Sequence, residues 1–171
     1  MEHLKSKIRH VPDFPKAGIL FYDITTLLRD PVGFHDAVDA MATPHKDRGI
    51  DLVVGIESRG FILGAAVADR IGAGFVPVRK LGKLPAPCIR ATYELEYGQD
   101  SLEMHRDAVA GGQRVLIVDD LLATGGTAQA TVELVKQLGG QVDGVALLIE
   151  LVALNGRARL AGEAVTAVLQ Y

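Results

Sequence analysis

The sequence lacks several features, and each absence excludes a class of protein. Cys88 is the only cysteine among 171 residues, so no disulfide can form within the chain, and we expect a reducing compartment. No apolar run approaches the roughly 18 residues of a membrane helix. The charged start MEHLKSKIRH also lacks the apolar segment of a signal peptide. We therefore expect a cytoplasmic protein with no membrane partner.

Neither sign of charge is in large excess. The chain has 18 basic and 21 acidic residues and a formal charge of −3, which argues against a broad nucleic-acid surface and leaves only a local patch open, so we predict no nucleic-acid partner. Hydrophobic residues make up 49% and charged residues 23%, an ordinary balance for a globular protein. The length predicts a single domain over residues 1–171 that buries about 70% of the surface of its unfolded chain.

The most informative stretch is RVLIVDDLLATGGT, from Arg114 to Thr127. Its apolar run Val115–Val118 predicts a strand buried on both faces of a parallel sheet. Asp119 and Asp120 follow at once, so we expect them at the carboxyl edge of the sheet, where open α/β sheets bind ligands. Both side chains should lie at the surface of the site, where an acidic pair suits a diol or a metal.

Small residues then lead into a helix. Thr124–Gly125–Gly126–Thr127 precedes apolar residues at helical spacing, and the predicted helix ends at Gly139–Gly140. Glycines at a helix entrance let the backbone turn inward, with positive φ expected at Gly126, so that N–H groups and two hydroxyls can converge on one anion. A phosphate cradle beside a diol-binding acidic pair indicates a ribose phosphate.

Three other interpretations of this stretch are weaker. A Walker A loop needs a lysine before its final Ser or Thr, and none lies between Asp120 and Thr127. A dinucleotide-binding turn needs G-x-G-x-x-G after a strand, whereas Gly72–Ala73–Gly74 is followed by strand-like residues. A simple N-capped helix explains one threonine, but not two aspartates and two glycines together.

The rest of the chain repeats an alternation of strands and helices. Apolar runs predict strands at 52–56, 74–79, 142–151 and 165–169, and helical spacing predicts helices at 24–28, 34–46 and 61–71. The fold class is therefore α/β, a mainly parallel twisted sheet with helices on both faces. Residues 4–9 could form a short helix, but a solvated basic terminus is favoured.

One segment, Leu81–His105, departs from this alternation. Glycine and proline punctuate it, its first part is basic, and Tyr93–Tyr97 alternates like an exposed strand pair. A long insertion in a compact domain is usually functional or disordered. We predict a mobile lid over an anionic substrate, with a merely solvated hairpin as the alternative.

Several motifs in order resemble those of the adenine phosphoribosyltransferases, within the type I phosphoribosyltransferase family. The resemblance runs from about Pro12 to Tyr171 and rests on the following segments: FPKAGILFYDIT, GIESRGF, VPVRKLGKLP, YELEYG, LEMHRDA and VLIVDDLLATGGT. It implies a type I phosphoribosyltransferase-like fold with an N-terminal hood over residues 1–30 and a lid loop over residues 81–105. It also implies transfer of the 5-phosphoribosyl group of phosphoribosyl diphosphate (PRPP) to adenine, giving AMP and pyrophosphate in purine salvage through an oxocarbenium-like transition state.

The resemblance also implies a role for each site residue. Glu96, Tyr97 and Arg59 are the catalytic candidates, with Glu96 handling the proton. The candidates for PRPP binding are Ser58, Arg79, Lys80, Asp119, Asp120, Ala123, Thr124, Gly125, Gly126 and Thr127. Leu20, Phe21 and Arg59 would bind adenine. Mg²⁺ would be held mainly by PRPP and water rather than by the protein, and an arginine such as Arg79 that reaches the neighbouring site implies a homodimer.

One position departs from the family pattern, and two other functions stay open. Tyr22 stands where the family commonly has arginine, so the role of that arginine is not carried over. Xanthine, hypoxanthine or guanine could replace adenine with the same PRPP half of the site. A PRPP-sensing regulator is the alternative outside enzymes, but about ten residues before Val11 are too few for a helix-turn-helix.

Overall fold

The computed structural model describes residues 1–94 and 98–171. Its strands are β1 Arg9–Val11, β2 Phe21–Asp23, β3 Leu52–Ile56, β4 Gly74–Lys80, β5 Cys88–Glu94, β6 Gln99–His105, β7 Arg114–Leu122, β8 Gln141–Glu150 and β9 Val165–Gln170. Its α-helices are α1 Glu2–Lys5, α2 Thr25–Leu28, α3 Pro31–Ala42, α4 Arg59–Ile71 and α5 Gly126–Gln137. Short 3₁₀ helices cover Thr43–His45, Val152–Leu154 and Gly156–Leu160.

Seven strands form one sheet in the order β5-β6-β4-β3-β7-β8-β9. The five strands from β4 to β9 in that order run parallel, whereas β6 is antiparallel to both β4 and β5. Strands β3 and β7 are neighbours at the centre, so the loops after them open at the same carboxyl edge. The predicted fold class is confirmed.

Helices cover both faces of the sheet, and each face has its own core. Helices α3 and α4 pack on one face around buried residues such as Leu63, Val67 and Leu116. Helix α5 packs on the other face around Ile117, Leu134 and similar residues. Adjacent residues of β7 therefore contribute to opposite cores, as the continuous apolar run predicts for a strand buried on both sides.

The N-terminal segment corrects one prediction. Residues 4–9 are not a solvated basic terminus, because Leu4 of α1 is completely buried and Ile8, after the helix, nearly so, both in the core of the α3–α4 face. Strand β1 then pairs with β2 as a separate two-stranded ribbon. Basic residues alternate with Leu4 and Ile8 in the sequence, so the charge pattern alone did not indicate that these two residues are buried.

Three predicted boundaries, in two elements, also shift. The helix predicted at 34–46 begins at Pro31, because Asp30 accepts hydrogen bonds from the N–H groups of Val32 and Gly33, and proline suits the first helical position. It ends at Ala42, before the short helix that contains Pro44. Strand β7 runs to Leu122, so the acidic pair lies within the end of the strand rather than after it.

The insertion is part of the main sheet rather than a separate excursion. Strands β5 and β6 form a hairpin from Cys88↔His105 to Glu94↔Gln99, and Arg79 and Lys80 of β4 pair with Glu103 and Leu102 of β6. Residues 95–97, between these two strands in the sequence, lie outside the described part of the chain, and lid movement stays a prediction. Among the described residues, no helix is both long and apolar enough to cross a membrane.

Candidate active site

A cleft of about 490 Å³ opens at the carboxyl edge of β3 and β7. It brings together residues from the β3–α4 loop, β4, the end of β5 and the β7–α5 loop. The lining residues are Ile56, Glu57, Ser58, Arg59, Lys80, Tyr93, Glu94 and the run from Asp119 to Thr127. Of the predicted PRPP ligands, all but Arg79 line it.

The acidic pair forms the floor of the cleft. Asp119 is 8% exposed and Asp120 6%, and both line the cleft, so they lie at the site surface as expected although little of either side chain is open to solvent. Oδ1 of Asp119 accepts a hydrogen bond from the Asp120 N–H at 2.8 Å. Nε of Arg59 donates to Oδ2 of Asp120 at 2.5 Å. The pair is therefore held in place before any ligand arrives.

Burial has an electrostatic consequence at Asp119. Its burial, with the charge of Asp120 next to it, raises the pKa of Asp119 well above its ordinary value of 3.8. The hydrogen bond from the Asp120 N–H and the more distant charge of Arg59 act in the opposite direction. A carboxylate kept here at a cost in stability is characteristic of a functional site.

The loop after β7 supplies the anion-binding geometry. Gly125 has φ of +85° and stands at the N-terminus of α5, which begins at Gly126. The positive φ expected at Gly126 is therefore wrong, and Gly125 takes that conformation instead. Gly126 is constrained by contact, since a Cβ there would lie 3.0 Å from Cδ2 of Tyr93. The described α5 entrance has no side-chain cap, which leaves its N–H groups to face an anion.

The β3–α4 loop carries charge into the cleft from the other strand. Glu57 accepts hydrogen bonds from the Lys80 N–H at 2.9 Å and from Nε and Nη2 of Arg79, both at 3.3 Å. Burial acts to raise the pKa of Glu57, but these bonds outweigh it and hold the pKa below its usual value. Arg79 also donates to the Lys83 carbonyl oxygen at 3.3 Å. Arg79 itself does not line the cleft of its own chain.

Lys80 connects the cleft with the hairpin. Its Nζ lies 3.2 Å from Oδ2 of Asp100, and the same oxygen accepts from the Tyr93 hydroxyl at 3.3 Å. Burial, with Asp100 beside it, raises the pKa of Tyr93 to about 12. The Tyr93 hydroxyl therefore stays protonated, and its side chain lines the cleft without a charge. An anion in the cleft would compete with Asp100 for the Lys80 ammonium group.

The segment predicted to bind a base adjoins the cleft without lining it. The Arg59 guanidinium carbon lies 5.2 Å from the centre of the Phe21 ring, within cation–π range. Phe14 meets Phe21 edge-to-face, with ring centres 5.1 Å apart, and Leu20 is 43% exposed. Arg59 thus contacts Phe21 and Asp120 at once and joins the two predicted halves of the site.

An aromatic cluster at Tyr22 was not predicted. Ring centres of Tyr22 lie 5.1 Å from His10 and 4.3 Å from Tyr171, and His10 lies 5.7 Å from Tyr171. Tyr22 therefore ties the β1–β2 ribbon to the residue after β9. No local sequence pattern could have found it, because nearly the whole chain separates the partners.

Two predicted catalytic residues cannot be placed. Glu96 and Tyr97 lie outside the described residues, between Glu94 and Gly98, so their roles stay predictions. Among residues 1–94 and 98–171, no group of three or more His, Cys, Asp or Glu side chains is arranged to hold a metal ion. The acidic side chains that line the described cleft include Glu57 and Asp120, and both are already bonded to arginine.

Comparison with known proteins identifies the family. Residues 24–161 match the model of the phosphoribosyl transferase domain. The adenine phosphoribosyltransferase of Solibacter usitatus is 61% identical over 171 residues, which cover 100% of this chain and 99% of the relative. That of Clostridium perfringens is 57% identical over 168 residues, or 98% of each chain.

Solved structures agree with the sequences. The crystal structure of adenine phosphoribosyltransferase from Rhodothermus marinus superposes with a TM-score of 0.96 at 55% identity, covering 99% of this chain and 97% of that one. The Saccharomyces cerevisiae enzyme, solved with an imino-altritol bisphosphate and adenine, has a TM-score of 0.91 at 43% identity, with 98% and 97% covered. With the acidic pair, the anion-binding loop and the likeness extending over the full chain, this protein belongs to the adenine phosphoribosyltransferase family.

Proposed function

We propose that this cleft carries out the family's reaction, transfer of the 5-phosphoribosyl group from PRPP to adenine, with the residues in the roles that follow. One observation carries the proposal: a buried acidic pair and an uncapped helix entrance lie in the same cleft, and Arg59 joins them to the aromatic segment at Phe21. PRPP offers a diol, a phosphate and a diphosphate, and adenine offers a flat ring. The acidic pair suits the diol, and the helix entrance suits the phosphate. Lys80 suits the diphosphate, and Phe21 suits the ring.

The β7–α5 loop holds the ribose phosphate. Asp119 and Asp120 accept hydrogen bonds from the two ribose hydroxyls, and the segment from Ala123 to Thr127 surrounds the 5-phosphate with N–H groups and hydroxyls. Positive charge builds on the sugar ring as the bond to pyrophosphate breaks. The carboxylates therefore favour the oxocarbenium-like transition state over the ground state.

The leaving pyrophosphate lies toward Ser58 and Lys80. Lys80 exchanges its contact with Asp100 for the diphosphate, which places a positive charge where negative charge develops. Mg²⁺ would be held mainly by substrate oxygens and water. Bound in that way, Mg²⁺ supplies charge neutralisation at the diphosphate.

The base half lies under the hood. Phe21 packs on the adenine ring, Leu20 borders it, and the main chain of this segment pairs with the edge of the base. Arg59 contacts Phe21 and holds Asp120 at the same time. It therefore fixes the distance between base and ribose, which a transfer reaction requires.

The hairpin segment, residues 81–105, closes the cleft as a lid. Glu96 handles the proton of the base, and Tyr97 helps to exclude water that would otherwise capture the ribosyl cation. Tyr93 and Glu94 already form one wall of the cleft at the described base of this hairpin.

The enzyme functions as a cytoplasmic homodimer. Ile62, Phe75 and Leu81 are large apolar side chains exposed on and near α4 and β4, where a second copy would cover them. Arg79 lies beside this surface, with its guanidinium carbon 5.9 Å from the Phe61 ring centre, and does not line its own cleft. It therefore serves the partner's pyrophosphate.

One assay tests the proposal. Purified protein is given Mg²⁺, PRPP and each purine in turn, and nucleotide formation is followed. We expect AMP from adenine only, with pyrophosphate in equal amount. Nucleotide from another purine at a comparable rate would replace the substrate, and PRPP binding without turnover would favour a sensor.

A further inference from the structure

The segment from Asn155 to Leu160, which lines no part of the cleft, packs against the back of the phosphate loop. A Cβ on Gly156 would overlap the carbonyl oxygen of Ala123 and lie 3.0 Å from Cγ of Leu122. A Cβ on Gly125 would in turn lie 2.5 Å from the carbonyl oxygen of Gly156. The two backbones are thus in direct contact, and Gly156 blocks any outward shift of the loop.

A forked ion pair fixes this segment. Nε and Nη2 of Arg157 donate to the two carboxylate oxygens of Glu150 at 2.6 and 2.8 Å, and Nη1 donates to the Val165 carbonyl oxygen at 2.7 Å. Glu150 ends β8 and also accepts from Nε2 of Gln170 at 3.0 Å. A bidentate pair sets orientation as well as distance, so Gly156 is held at a fixed place relative to the sheet.

The ion pair is permanently charged in the neutral range. Glu150 has only 5% of its side chain exposed, and the hydrogen bond from Arg157 holds the pKa of Glu150 below its usual value despite burial. Leu160, 3% exposed, anchors the far end of the segment in the core under α5. Both ends are therefore fixed, and the part between them is the part that touches the loop.

We propose that Gly156 and the Arg157–Glu150 pair position the phosphate-binding loop, so that its N–H groups are preorganised for the 5-phosphate. They are positioning residues, since they act through Ala123 and Gly125 and touch no substrate. The inference rests on the proposed role of the loop itself. It adds residues that lie behind the loop and far from the motif in sequence, and the affinity for PRPP depends on their contacts with the loop.

The test compares ligands that do and do not carry the phosphoribosyl group. The dissociation constant of AMP is measured by calorimetry, and KM is measured separately for PRPP and for adenine. The variants are Gly156→Ala, which pushes on the loop, and Arg157→Lys, which keeps the charge but not the fork. The matched controls are Gly111→Ala, where a Cβ meets nothing within 4 Å, and Arg29→Lys, at an exposed arginine that follows α2 and does not line the cleft.

We expect Gly156→Ala to weaken AMP and raise KM for PRPP by about tenfold to 100-fold, because small misplacements of a binding group have effects of this size. Arg157→Lys should act in the same direction by about tenfold. KM for adenine should stay at the parent value in both test variants. The two controls should keep the parent's binding constants and melting temperature. If Gly156→Ala fails to fold, Arg157→Lys alone decides.

Two results would overturn the inference: unchanged AMP affinity in the folded variants, or a parallel loss of adenine and PRPP binding, which indicates a merely structural role. The double variant Thr124→Ala/Thr127→Ala separates this failure from that of the proposed function. If it weakens AMP whereas Gly156→Ala does not, only the positioning role fails. If AMP affinity stays at the parent value in Gly156→Ala, in Arg157→Lys and in the double threonine variant, the loop does not bind the phosphate.

Discussion

The two proposed halves of the site, one for the ribose phosphate and one for the base, are built in different ways. The ribose-phosphate half consists of the buried pair Asp119 and Asp120 and a loop set between β7 and α5. The base half consists of partly exposed side chains on a two-stranded ribbon, with Leu20 43% exposed. The first half is anchored in the main sheet, and the second is held by side-chain contacts to Arg59 and Tyr171.

This difference fits the demands of the two ligands. A phosphate and a diol are recognised by charge and by many N–H groups at fixed positions, so a rigid frame is an advantage. A flat ring is recognised by stacking and by a few main-chain hydrogen bonds, which a thin ribbon can supply. Changes in the first half should therefore affect PRPP and turnover, and changes in the second half should affect the base.

The largest expected effect concerns base choice. Adenine presents an N6 donor beside an N1 acceptor, whereas hypoxanthine and guanine present the reverse, and main-chain groups cannot exchange donor for acceptor. We expect kcat/KM for adenine to exceed that for the oxopurines by about 10⁴-fold. Leu20→Ala should change KM for adenine but not this ratio. Steady-state kinetics with each purine measures both, and a ratio within about tenfold would remove adenine as the assigned substrate.

The next effect concerns the acidic pair. Asp119→Asn and Asp120→Asn should each lower kcat by about 100-fold or more, because each removes charge that faces the developing cation. The exposed Asp69 on α4 provides the matched control Asp69→Asn, which should keep parent activity. Turnover is measured at saturating PRPP, and equal activity of both site variants and the parent would contradict the assignment.

A smaller effect is expected at Gly126. Gly126→Val would displace the Tyr93 ring, which leaves 3.0 Å for a Cβ, and shift the helix entrance away from the phosphate. PRPP affinity should fall by about tenfold, with less change in base affinity. Calorimetric titration compares it with Gly111→Val, where the side chain starts in open space. Unchanged PRPP affinity would show that the helix entrance tolerates the shift.

The aromatic cluster should affect the base half alone. Tyr171→Ala removes the ring that packs on Tyr22 and His10 and should lower the free energy of unfolding by about 2 kcal/mol. It should also raise KM for adenine and leave KM for PRPP unchanged. Tyr171→Phe is the control, because the Tyr171 hydroxyl is buried without a hydrogen-bond partner among the described residues. A rise in KM for PRPP of similar size would show that the halves are not separate.

The smallest effect is one of pH on stability. Burial, with Asp120 beside it, raises the pKa of Asp119 in the folded state above its ordinary value of 3.8. The folded state therefore keeps a proton that the unfolded state has lost, and Asp119 costs stability increasingly as pH rises through this interval. Asp119→Asn removes the cost. The melting temperature of this variant should therefore rise relative to that of the parent as pH rises from about 4 to 7. A difference independent of pH would contradict the buried charge.

The sequence predicted the first half of the site better than the second. The acidic pair, the loop and the adjoining strand and helix lie within Arg114–Gln137. The spacing of apolar residues and the glycines and threonines of this one stretch were therefore enough to predict them. The cluster of Tyr22 with Tyr171 and the contact of Gly156 with Ala123 join distant segments, and no local pattern encodes them. Burial of Asp119 and Asp120 was missed for the same reason, since strand β7 continues beyond them only in the context of its neighbours.

The central claim is that one cleft joins a rigid phosphoribosyl half to a base half through Arg59. A crystal structure with AMP bound tests it most directly, since AMP carries both groups. We predict the 5-phosphate at the Ala123–Thr127 loop, the ribose hydroxyls on Asp119 and Asp120, and the adenine ring against Phe21. AMP bound with its phosphate outside that loop, or with its base away from Phe21, would contradict the account.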